Sequence, residues 1–253
     1  MIERLGASLT EAVSACGRMV LLGAEGFRHI FSRPVRVHLI FKQMQFIGLK
    51  SIPVVALTGT FSGMVLALQS YNAVARFQAE SLVGATVALA MAREMGPVMT
   101  ALMVTGRAGS AMAAEIGTMR VTEQIDALSA MAVNPIHYLV TPRILAAIVM
   151  VPALTVLFVF VGILGGYLVG VVYLGIHGGS YINSSIEFTD AADLTHGLWK
   201  ALFFAVVLTV VGCYKGFYTS GGAEGVGRRT TESVVMSSVL ILVSDYFLTA
   251  VLY

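Results

Sequence analysis

This sequence is poor in charge. Only 12% of its 253 residues are Asp, Glu, Lys or Arg, and 57% are apolar. Ordinary globular domains carry about 25% charged and about 45–50% apolar residues. Mean hydropathy is +0.84. A soluble fold of this length cannot hide so much apolar surface, which excludes a soluble enzyme and a disordered chain. Net charge is only +2. No basic run suits a phosphate backbone, so no nucleic acid is expected as partner. Cysteine is scarce too: Cys16 and Cys213 stand far apart and suggest no disulfide framework. No G-x-x-x-x-G-K-[ST] run is present, so the chain has no Walker loop for ATP. His29, His38, His137, His177 and His196 belong to no H-E-x-x-H and have no C-x-x-C partner, so no metal is expected. What remains is an all-α polytopic membrane protein. It reads as one domain over 1–253, with an interfacial N-terminal region 1–50 and a five-span bundle 52–253.

The N-terminus lacks a clean apolar stretch, because Glu3, Arg4, Glu11, Arg18, Glu25, Arg28 and Arg33 are spread along it. A cleavable signal peptide is therefore not expected. Leu5, Leu9, Ala12, Cys16, Met19 and Val20 recur at helical spacing. They predict an amphipathic helix lying on the membrane surface, with Arg18, Arg28, Arg33 and Arg36 near anionic headgroups. A helix packed on the rest of the protein fits the same pattern.

A spanning helix needs about 20 largely apolar residues. Five segments qualify, at 52–75, 82–106, 144–174, 198–214 and 234–253. Placing the N-terminus in the cytoplasm puts thirteen of the sixteen Lys and Arg residues inside, and only Arg76 and Lys200 outside. Arg93 falls within the membrane. The positive-inside rule thus predicts a cytoplasmic N-terminus and an external C-terminus. The loop 175–197 has no Lys or Arg, and a short external helix is predicted around 181–194.

Three features stand out inside this frame. Arg93-Glu94 interrupts the second span, and a mid-bilayer charge costs about 2.5–3.5 kcal/mol on insertion scales. Neighbours on a helix point about 100° apart, so each of the two needs its own partner or a polar cavity. Gly96-Pro97 weakens the helix just after them. A second span that starts later, with the pair at the outer interface, is the alternative. Small residues form the second feature: Gly59 and Gly63, then Gly106, Gly109, Ser110, Ala113, Ala114 and Gly117, then Gly162, Gly166 and Gly170. They permit close helix approach, within the chain or in a dimer. Third, Val121, Ile125, Leu128 and Ala132 make one apolar stripe that ends near Asn134-Pro135. That stripe predicts an amphipathic helix outside the bilayer, docked on a cytosolic partner or on the membrane. The glycines of 221–227 follow no strand and read as a flexible loop. Ser62 has no histidine within a span to act as its base, so an intramembrane hydrolase is not supported.

The stretch from about Gly63 to Arg143 closely resembles the MlaE-type permeases of bacterial phospholipid-transport ABC systems. Arg93-Glu94-Met95-Gly96-Pro97-Val98 is similar to the family's R-E-x-G-P-V, and 106–111 to its G-R-x-G-S-A. Residues 114–124 match A-E-I-G-x-M-R-x-T-E-Q, and Asn134-Pro135 and Pro142-Arg143 fit the N/D-P and P-R that follow. The resemblance implies a homodimer in the bacterial inner membrane. Each protomer would have five spans, an N-terminal interfacial helix, a cytoplasmic coupling helix near 115–130 and a short periplasmic helix. It implies two cytosolic ATPase subunits that carry the ATP, leaving this chain without a cofactor, and an external ring of MCE-domain protein. Glu115, Met119, Arg120, Glu123, Gln124, Asp126 and Leu128 would serve ATPase coupling. Phospholipid would lie in an outward-facing cavity between protomers, against Leu66, Ser70, Ala73, Val74 and Phe77, with Arg93 and Glu94 near the headgroup. Some members have Tyr at the position of Phe77. Such systems maintain outer-membrane lipid asymmetry or take up lipid.

The residues alone also admit an ion-coupled secondary transporter using Arg93, Glu94 and Asp245. No internal repeat of the kind common in such transporters is visible.

Overall fold

The computed structural model describes residues 2–31 and 36–252, with the side chains of residues 2–9, 11, 12 and 31 excepted. The expectations for Leu5, Leu9, Ala12, Arg33 and Tyr253 lie outside these described parts. The described chain is built of helices joined by short turns, with no strand among the described residues. Five stretches are long and apolar enough to cross a membrane: Val37–Phe77, Glu80–Val121, Ile136–Tyr173, Ala191–Phe217 and Gly222–Leu252.

Helix α1 (Ile2–Arg28) precedes the first span. Its C-terminal half packs on the bundle: Leu22 is buried, and Gly26 lies against Val140 and Ile144. Val13, Val20 and Leu21 stay exposed. The first span joins α2 (Val37–Ile47) to α3 (Ile52–Val74) through a 3-10 turn, with Pro53 in the first turn of α3, where a missing N–H costs nothing.

The second span is longer than its hydropathy suggests. It contains α4 (Val83–Ala90), α5 (Gly96–Val104) and α6 (Ser110–Val121), joined by π turns at Met91–Met95 and Thr105–Gly109. Arg93-Glu94 sits in the first of these turns and Arg107 in the second. Neither Gly96-Pro97 nor Gly106 ends the helix. The wide turn before Pro97 absorbs its missing donor, as π-bulges do. The expected end at 106 is corrected for a specific reason. Arg107 donates from Nε to Ser51 Oγ at 2.8 Å and from Nη2 to the Phe46 carbonyl, so its charge is satisfied inside the protein and the helix continues.

The expected coupling helix is shorter and broken. Glu123 adopts a left-handed conformation (φ 59°) between α6 and α7 (Gln124–Ala130). Ala132 is left-handed too (φ 57°) and stops α7 before Asn134. The apolar stripe therefore does not run through one helix: Ile125 is buried and Leu128 packs inward, whereas Ala132 is exposed.

The third span is α8 (Thr141–Tyr167), extended by π turns at both ends. The short helix after it is α9 (Gly178–Glu187), which stops seven residues before the predicted 194 because α10 (Ala191–Phe217) already begins at 191. The last helix is α11 (Gly222–Leu252). Residues 222–227, expected as loop, are its first turns. Within 221–227 positive φ occurs only at Gly221 and Gly222, and Arg228 and Arg229 pair with Glu232 along the helix.

At Gly59, Gly63, Gly162 and Gly166 the small-residue register serves packing within the chain, whereas Gly106 faces open space. A Cβ at Gly63 would collide with the Gly162 carbonyl, so α3 and α8 approach backbone to backbone. The core runs between α3, α5, α8 and α10, with Phe158, Phe204, Met91 and Leu208 fully buried. By contrast α11 shows Val235, Val239, Leu242, Val243, Tyr246 and Phe247 to the outside.

Candidate functional site

The five candidate wall residues share one flank of the first span. Leu66, Ser70, Ala73 and Phe77 follow one another at three- or four-residue intervals, the spacing that keeps side chains on one side of a helix, and Val74 stands beside Ala73. Ser70 is buried, Leu66 and Val74 pack partly on the core, Ala73 is exposed, and Phe77 is 80% exposed. The flank is most open at its end, at Phe77, where Gln78 turns the chain with φ 55°. Beside it the Tyr71 hydroxyl donates to Glu80 Oε1 at 3.3 Å.

Arg93 and Glu94 do not reach this flank. They reach α10 and α11, each by its own route, as their 100° separation demands. Arg93 pairs with Asp193: Nε donates to Oδ1 at 2.7 Å and Nη2 lies 2.6 Å from the same oxygen. Asp193 is itself fixed. It sits in the first turn of α10 and its Oδ2 accepts the Asp190 N–H at 3.0 Å, half of a capping box. Glu94 pairs with Lys200. The Lys200 ammonium lies 2.6 Å from Glu94 Oε2 and 3.1 Å from Asp245 Oδ1, and donates to Thr249 Oγ1 at 2.7 Å. Thr249 in turn donates to the Asp245 carbonyl at 2.8 Å.

Lys200 is fully buried. An isolated buried ammonium would lose its proton or destabilise the fold, so the two carboxylates and the hydroxyl are what let it stay. The approach that makes these pairs possible is backbone contact: a Cβ at Gly197 would collide with the Ala92 carbonyl inside the π turn. Three spans, the second, fourth and fifth, are thus tied by charge at one level. That level lies between the first and third turns of α10.

Sequence reasoning singled out Arg93, Glu94 and Asp245 but missed three partners. Asp193 lies in the stretch 175–197 read as external loop, Lys200 counts among the external cations, and nothing in the local sequence marks Thr249. The available signal was charge complementarity among segments otherwise devoid of charge, since intramembrane charges pair with one another.

At the other end of the bundle the coupling candidates separate. Glu115 accepts from buried Arg143 at 2.7 Å, joining α6 to α8. Arg120 and Asp126 pair at 2.7 Å across the break between α6 and α7. Gln124 donates to Thr122 Oγ1 at 3.1 Å. Met119 and Leu128 pack against the small apolar cluster around Ile116, Ile125 and Ile144. Glu123 is exposed at the apex of the turn. Asn134 orients the following loop: its Oδ1 accepts the N–H of Ile136 at 2.9 Å, which leaves Nδ2 to donate to His29 Nε2 at 3.2 Å.

Known proteins share this sequence over most of its length. Residues 40–251 match the family model described as Permease MlaE. A Haemophilus influenzae protein named intermembrane phospholipid transport system permease protein MlaE is 40% identical, covering 95% of this chain and 97% of its own. A Rickettsia bellii protein named probable ABC transporter permease protein is 44% identical, covering 98% of this chain and 96% of its own. The chloroplastic protein trigalactosyldiacylglycerol 1 of Arabidopsis thaliana is 38% identical over 83% of this chain and 60% of its own length. With five apolar spans and a family match across most of its residues, the chain belongs to the MlaE permease family.

Proposed function

We propose that this chain is the membrane-spanning permease subunit of an ABC transporter that moves phospholipid between the bacterial inner and outer membranes. In this reading two copies assemble as a homodimer in the inner membrane, with N-termini in the cytoplasm and C-termini in the periplasm. The observation that carries it is the flank of α3 in a chain of this family. Leu66, Ala73, Val74 and Phe77 present apolar groups around buried Ser70, along a span long and apolar enough to cross the bilayer and out to open Phe77 just past the end of α3. Such a wall suits acyl chains, with polar groups needed only at the headgroup end. A second copy closes the wall into a cavity, and the outward face of α11 offers the apolar surface for that contact.

ATP hydrolysis belongs to separate cytosolic subunits that dock on α6 and α7 near Glu115, Met119, Arg120, Glu123, Gln124, Asp126 and Leu128. Their closure would move α7 and change the affinity of the cavity for lipid, as two-state coupling requires. A periplasmic MCE-domain ring receives or delivers the lipid. The chain itself is not an enzyme in this account.

The test is charge in the wall. In Leu66→Asp and Phe77→Asp, bound phospholipid counted by mass spectrometry of the purified complex is expected to fall at least about ten-fold, since a buried carboxylate costs several kcal/mol. The ATPase remains attached. Unchanged lipid in both variants contradicts the assignment.

A second reading is favoured by one observation, the buried Lys200 between Glu94 and Asp245. Buried, paired charges of this kind mark ion pathways, and an ion-coupled secondary transporter would use them. Transport that follows an ion gradient without ATP would select that reading.

A further inference from the structure

A cavity of about 490 Å³ lies away from α3, between α8 and α9. Its walls are Ile163, Leu164 and Tyr167 from α8, and Tyr181, Ile182 and Ile186 from α9. Ala88 of α4 forms the floor. The α9 residues recur at the spacing of one helical face, so the cavity runs along that helix. The Tyr181 ring is held under it, edge-to-face with Tyr167 at 5.7 Å between centroids. Ser185, also in the wall, spends its hydroxyl on the Tyr181 carbonyl at 2.8 Å.

The cavity is open at its rim, so whatever surrounds the protein at that level fills it. Ordered water would need two to four polar partners in the wall. The Ser185 hydroxyl is already committed, and the two unpartnered hydroxyls of the lining, Tyr181 Oη and Thr189 Oγ1, are too few to hold the many waters such a volume takes in walls otherwise of hydrocarbon. The mouth is apolar as well: Leu164, Ile182 and Ile186 are exposed at its rim, Ile186 by 72%. Leu164 continues the outward face of α8 that carries Val156 and Phe160, within a span that crosses the bilayer. The cavity therefore opens into lipid, and the volume is in the range of small-molecule sites, about 300–1,000 Å³.

We infer that the α8–α9 cavity is a binding seat for one acyl chain of a phospholipid from the leaflet at the α9 end, separate from the α3 wall. The seated chain fills the gap between α9 and the bundle and fastens the short helix to the third span. It differs from the ordinary lipid shell in being enclosed by α4, α8 and α9, so its exchange is slower.

The test uses the full-length protein in vesicles of phosphatidylethanolamine and phosphatidylglycerol. The vesicles contain a trace of phosphatidylcholine with a diazirine on one acyl chain. After irradiation, label is mapped by residue. Ile163, Ile182 and Ile186 are expected to carry about ten-fold more label than Val156 and Phe160, which are outward-facing on the same span. Ile163→Trp and Ala88→Leu each fill the cavity and bring that label down to the level of Phe160. Leu66→Asp leaves it unchanged, so this inference and the proposed function fail separately. Equal labelling of cavity and outward residues, protection of the cavity by a co-purifying polypeptide, or labelling indifferent to both filling variants would overturn it.

Discussion

At the scale of the residue, Lys200 carries the most consequence. Its ammonium is fully buried, yet it stands within 2.6 Å of one carboxylate and 3.1 Å of another. Removing one partner of a buried pair typically costs about 3–5 kcal/mol, because the remaining charge is left uncompensated. Lys200→Met is therefore expected to destabilise the folded protein by about that amount, read as a lower melting temperature in detergent. Lys200→Met with Glu94→Gln and Asp245→Asn together recovers much of the loss, since no charge is then orphaned. A single variant that melts like the parent would show that the carboxylates do not depend on the lysine. The demand for partners at Arg93 and Glu94 was legible from two adjacent charges in an apolar span. The partners themselves were not. Asp193 and Lys200 lie 100 and 106 positions away, and no local pattern links residues across that distance.

At the scale of the element, the spans were legible because length and hydropathy alone mark a bilayer crossing. Their ends were not. Arg107 reads as loop in any hydropathy window, but the Phe46 carbonyl and Ser51 hydroxyl satisfy it, and the second span runs on to Val121. Glycine misled in the opposite sense at 222–227, where a run taken for loop begins α11. Where a glycine sits in the packing decides its role. Gly63→Ala places a methyl against the Gly162 carbonyl, and overpacking of this kind costs about 1–3 kcal/mol. Gly106→Ala meets nothing within 4 Å. There the gain in helix propensity, about 0.4–1 kcal/mol, is expected to stabilise. Melting temperatures of the two variants should move in opposite directions, and a loss of equal size in both would refute the α3–α8 contact.

At the scale of the whole molecule, two ends with different chemistry emerge. One holds α7, the start of α8 and the turn into α11, with ion pairs Glu115–Arg143 and Arg120–Asp126. The other holds the 75–82 turn and α9, which carries exposed Ile182 and Ile186. The excess of Lys and Arg in the first set of loops supports the proposal that this end faces the cytoplasm. The fold class and the family were both legible in the sequence, the latter through the run 93–143. The proposed lipid cavity was legible only through the family resemblance, because the second surface that would close a wall on α3 lies outside a single chain.

The most direct test of the central claim is purification of the chain from its native host in mild detergent. Mass spectrometry then identifies the co-purifying proteins and the bound lipids. The account predicts a stoichiometric ATPase and retained phospholipid on a dimer of this chain. A chain that emerges alone and free of lipid, under conditions that keep other membrane complexes intact, would contradict it.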